Sequence, residues 1–78
     1  VNRTAAPNAI REVFQSMAAT LARSPRIGRH ATKTKAKDAR QVFLRRVGYW
    51  IYYRIIVDPA RLEILAFWHS SRGKGPPI

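Results

Sequence analysis

The chain has 78 residues, with fifteen Lys and Arg against four Asp and Glu, a formal charge of +11, and no cysteine. A chain this short makes one small domain, and it has neither a disulfide framework nor a thiolate metal site to reinforce a thin core. Carboxylate chemistry is close to excluded by composition, and His30 and His69 have no Cys or carboxylate at ligand spacing, so no metal or other cofactor is expected.

No apolar run approaches the roughly 20 residues of a membrane-spanning helix, and positions 1 to 10 lack the apolar centre of a signal peptide. With cysteine absent as well, the expectation is a cytoplasmic protein with no membrane partner.

Residues 5 to 23 are expected as an amphipathic helix. Ile10, Val13, Phe14, Met17, Ala18 and Leu21 recur on one face of a 3.6-residue period. Pro7 is tolerated only in the first turn, which puts the start near Thr4 to Ala6 with Thr4 as cap. Ser24-Pro25 ends the helix, because proline disfavours helical backbone in the residue before it. Met17 reads as a gap-filler on the core stripe.

Residues 24 to 40 are expected as a basic loop. The segment GRHATKTKAKDAR has no apolar period and many charges, so its 28–40 stretch reads as mobile. Arg26, Arg29, Lys33, Lys35, Lys37, Arg40, Arg45 and Arg46 are opposed only by Asp38. A solvated basic surface is the plain reading of such cations. At this density they are better taken as contacts to nucleic acid or another polyanion.

From Gln41 the period changes to two. Gln41–Arg46, Tyr49–Val57 and Arg61–Trp68 read as three strands, the second rich in the Ile, Val and Tyr that suit a buried pleated position. Asp58-Pro59-Ala60 is the turn between the last two. The expected fold is α+β, an amphipathic helix packed on a three-stranded antiparallel meander spanning residues 41–69. Leu21 and Ile64 are expected core positions, and the 70–78 tail, ending GKGPPI, is expected to fray.

Three residues could carry chemistry. Arg72 lies just beyond the last strand, His69 precedes it, and Arg54 interrupts an apolar strand. Each also has a plain structural reading: a solvated strand end, a capping histidine, and an outward-facing arginine.

The order "LARSPRIGR", basic loop, "FLRRVGYWIYYRI", turn, "LEILAFWHSSR" resembles the RelE/ParE superfamily of toxin-antitoxin toxins, over residues 8 to 72. The resemblance implies a growth-inhibiting toxin neutralised by an acidic antitoxin. In the branch that cleaves mRNA on the ribosome, lysines precede the Gly-Tyr pair and an arginine follows it. Carried over, those positions fall at Gln41, Phe43 and Trp50, and only Arg72 is kept. The H-x-x-R ending, His69 to Arg72, is similar to the ParE branch, whose members poison DNA gyrase. ParE-like action is therefore the leading expectation. A ribosome-dependent endoribonuclease and a small basic RNA- or ribosome-binding module are the alternatives. The resemblance also implies a strand and a helix ahead of the first helix, which have no counterpart here. An uncovered apolar face would then be filled by a second copy or by the antitoxin.

Overall fold

The computed structural model describes residues 6 to 78. It contains α1 (Ala6–Arg23), β1 (Arg29–His30), β2 (Ala39–Leu44), β3 (Tyr49–Val57) and β4 (Ala60–His69), followed by a single 3-10 turn, Ser70–Arg72. The expected Thr4 cap lies outside the described residues. The four strands form one antiparallel sheet in the order β1-β2-β3-β4. The three-stranded expectation therefore misses one strand, β1, inside the segment read as a mobile loop. Among the described residues no helix is long and apolar enough to cross a membrane.

The apolar stripe of α1 covers one sheet face. Leu21, Leu44, Ile51 and Tyr53 are buried at its centre, with Val13, Phe14 and Met17 packed around them. Phe14 meets Phe67 edge-on at 5.4 Å, and Phe67 stacks on Tyr49 at 4.4 Å. Alternation along β3 sends Trp50 and Tyr52 to the opposite face. There Tyr52 is buried with Ala31 and Ala39, and Ala36, Trp50, Leu65, Ala66, Trp68 and Ile78 pack against them. Ile64, expected in the core, is 42 % exposed.

That second face is covered by the loop after β1 and by the C-terminal tail. The tail does not fray. Trp68 Nε1 donates to the Lys74 carbonyl at 2.6 Å, Pro76 is buried, and the Ile78 carbonyl accepts from the Lys35 amide. Prolines that can extend neither helix nor strand still fill an apolar site once the chain crosses it.

β1 is only two residues long and exposed, so its own side chains cannot hold it. It is held by groups distant in sequence. Buried Tyr53 donates its hydroxyl proton to the Pro25 carbonyl at 2.6 Å and accepts from the Gly28 amide at 3.0 Å. Arg40, paired with His30 across the ladder, donates to the Gly28 carbonyl at 2.6 Å. The P-x-x-G-R turn is thereby fastened to the sheet.

At the other end of the sheet, Arg54 and Glu63 face each other across β3 and β4. Arg54 Nε donates to Glu63 Oε1 at 3.1 Å, and its Nη2 reaches the same oxygen. The hydrogen bond and charge of Arg54 hold the Glu63 carboxyl below its ordinary range. A carboxyl with a depressed folded-state pKa adds stability above its unfolded pKa and loses it as pH falls through the folded one. The thermal midpoint of Glu63→Gln should therefore fall less steeply on acidification than that of the parent, below the usual carboxylate pKa. The pair is partly solvated, so the difference should be small.

Candidate functional site

The face opposite α1 carries a cleft of about 500 Å³. Its floor is Trp50, Tyr52 and Trp68, and its walls are the Arg29–Thr34 segment and the Ser70–Gly75 segment. Trp50 and Trp68 are direct cross-strand partners, and Phe43 extends the aromatic row at 4.8 Å from Trp50. Arg29, Lys33 and Lys74 stand around the floor, and among the described residues no carboxylate lines it. The Arg29 guanidinium lies 5.8 Å from the Trp50 ring centroid, and that of Arg72 lies 4.5 Å from Trp68. Both are within cation–π range. The arrangement can hold a flat, negatively charged group.

The strand register makes this floor. β3 and β4 pair from Val57–Ala60 up to Tyr53–Ile64, and then an irregularity between Tyr52 and Tyr53 sets Tyr52 against Ala66. Leu65 is the extra residue, a bulge. Without it the register would place Trp50 opposite Phe67. The shift brings the two tryptophans together.

The three residues singled out from sequence are not brought together. His69 caps the 3-10 turn, its Nδ1 accepting from the Ser71 amide at 3.0 Å, and its ring meets Tyr49 edge-on at 4.7 Å. The turn it caps swings Arg72 back over Trp68, which gives the H-x-x-R spacing a geometric reason. Arg54 is five residues along β3 from Tyr49, His69's cross-strand partner, about 17 Å at the strand rise. Its guanidinium is engaged by Glu63.

The eight basic residues divide by position. Arg29 and Lys33 line the cleft, while Lys35 and Lys37 are exposed on the same loop. Arg40 is turned inward onto the Gly28 and Arg26 carbonyls. Arg45 and Arg46 are exposed in the β2–β3 turn, beside α1, and Arg26 is exposed in the turn after α1. Six phosphate contacts from this set would give log K against log salt a slope of about −5, and Lys33, Lys35 and Lys37 changed to Gln should reduce it by about half. A titration of duplex DNA at several salt concentrations measures both slopes. Among the described residues no three His, Asp or Glu side chains gather where a metal could sit.

The helix, fastened basic turn, antiparallel meander and H-x-x-R tail follow one another in the order in which the sequence resembles the RelE/ParE superfamily. The profile of the ParE toxin of type II toxin-antitoxin systems, parDE, matches residues 2–73, and the chain belongs to that family. ParE toxins are neutralised by a ParD antitoxin. No curated protein and no solved structure matches the chain.

Proposed function

We propose that this chain acts as the toxin of its system by occupying a nucleoprotein target such as DNA gyrase, without cutting nucleic acid. One observation carries this reading. Gln41 and Trp50 line the cleft at positions where the ribonuclease branch has a lysine and an arginine. Cleavage of a phosphodiester needs cations aimed at the charge that develops in the transition state. Here a neutral amide and an indole stand in their place. Arg72, exposed on the rim and stacked on Trp68, is the residue proposed to contact the target.

The proposal extends to partners. Among the described residues β4 is an edge strand, with Ile64 on it 42 % exposed and Val57, at the adjoining end of β3, 76 % exposed. An acidic antitoxin segment, or a second copy of the chain, would cover this edge. The antitoxin has the advantage of charge, since two copies bring +11 each.

Two assays run side by side test the function. The purified protein is expected to inhibit gyrase supercoiling and to leave mRNA on translating ribosomes intact. Arg72→Ala is expected to keep the thermal midpoint and lose the inhibition. Cut mRNA with supercoiling unaffected would assign the protein to the ribonuclease branch instead.

A further inference from the structure

We infer that the cleft opposite α1 takes one nucleotide unit of a single-stranded nucleic acid, with the base stacked on Trp50 and the phosphate held by Arg29 and Lys33. This rests on the cleft itself and is independent of the target named above.

The floor supplies the first argument. A protein interior would normally close over two neighbouring tryptophans, yet Trp50 and Trp68 are only partly buried and line an open cleft. Trp68 is already engaged, with Arg72 at 4.5 Å over its ring and its Nε1–H given to the Lys74 carbonyl. Trp50 meets Phe43 at 4.8 Å, tilted by 45° rather than stacked on it. Arg29 stands farther off, at 5.8 Å, on an exposed side chain that can swing outward. A base entering there would stack on the indole with the guanidinium above it. Every base has a π-face, so such stacking tolerates any sequence.

Charge and shape supply the rest. Three cations and no carboxylate line the cleft among the described residues, so a phosphate meets only attraction. Thr32, Thr34, Gln41 and Ser70 add neutral hydrogen-bonding groups for the sugar and base edges. The volume of about 500 Å³ is that of a small-molecule site. The floor is recessed between the loop after β1 and the tail. A base stacked inside a duplex cannot present its face to it, whereas an unpaired base can.

The protein carries its own probe, because Trp50 and Trp68 are its only tryptophans. The intact chain is titrated with a 5′-phosphorylated oligoadenylate of about six nucleotides, with AMP, with inorganic polyphosphate and with duplex DNA. The single strand is expected to quench the tryptophan fluorescence saturably, AMP to do so more weakly, and polyphosphate and duplex to bind without the quench. By anisotropy of a labelled strand, Trp50→Leu and Arg29→Gln should each weaken binding roughly 5- to 150-fold. Arg11→Gln, exposed on α1 across the sheet from the cleft, should leave it unchanged. Arg29 is exposed, so its variant answers even if Trp50→Leu fails to fold.

Equal weakening by Arg11→Gln and Arg29→Gln would overturn the proposal and leave only a charged surface. So would quenching by polyphosphate equal to that of the strand. AMP binding as tightly as the oligonucleotide would overturn the single-strand assignment in favour of a free nucleotide.

Discussion

Gly28→Ala is expected to destabilise the protein by about 3 kcal/mol or more. A Cβ built at Gly28 lies 2.4 Å from the Tyr53 hydroxyl oxygen, 2.8 Å from its Cε1 and 3.0 Å from the Gln41 carbonyl oxygen. None of these can yield easily. Tyr53 is fully buried under α1, and Gln41 is held in the ladder between β1 and β3. Relief requires the turn to move away. That breaks the Gly28 and Pro25 bonds to the phenol, each worth about 1 kcal/mol net. Against a total stability of about 5 kcal/mol for a domain of this size, the loss is severe. Denaturant unfolding measures it, and a double-mutant cycle with Tyr53→Phe locates the cause. Alanine at 28 should cost less when the phenolic oxygen is gone. Strict additivity of the two changes would refute this account.

Leu21→Ala should cost about 2–5 kcal/mol, the range for deleting a buried leucine side chain. Leu21 is fully buried among Leu44, Ile51 and Tyr53, all of them fixed in the sheet. The ring of Tyr53 is fastened at its far end by two hydrogen bonds, so it cannot swing into the space left behind. The site is therefore one that collapses poorly, which places the cost in the upper half of that range. Ile64→Ala, equal to it on a sequence reading, should cost much less, because Ile64 keeps 42 % of its surface in solvent. A matched pair of denaturation curves compares them directly. Similar losses for the two variants would mean that Ile64 is covered in solution.

What could be read from sequence, and what could not, follows from how local each determinant is. The stripe from Ile10 to Leu21 and the run from Tyr49 to Val57 carry their periodicity within themselves, and α1 and β3 appear where that periodicity puts them. β1 carries no such signal. Two exposed, polar residues become a strand because Tyr53 and Arg40, 25 and 12 residues from Gly28, grip the turn before it. The tail was similarly opaque, since Gly and Pro forbid regular structure without forbidding contact with Trp68 and Tyr52. The cleft was hidden for a sharper reason. Trp50 and Trp68 are both visible as strand residues, but a hairpin counted back from Asp58-Pro59 sets Trp50 against Phe67. One bulged residue, Leu65, turns that into a tryptophan pair, and nothing in the local pattern announces it. The spacing of His69 and Arg72 was legible as a motif. Its use, a capped turn returning a guanidinium to the sheet, needed the fold.

The Tyr53 hydroxyl has one more effect, on how the molecule opens. A two-residue strand at a sheet edge ordinarily exchanges its amides by local fraying, at almost no cost in free energy. Here the Gly28 amide is bonded to a phenol whose ring lies within the helix-side core. Freeing that amide disturbs the same packing that holds α1. Its deuterium uptake should therefore follow the opening of α1 and β3, so that the turn beside the cleft wall and the core on the other side of the sheet belong to one cooperative unit. Ligand held at Arg29 would then slow exchange in α1, which it never touches.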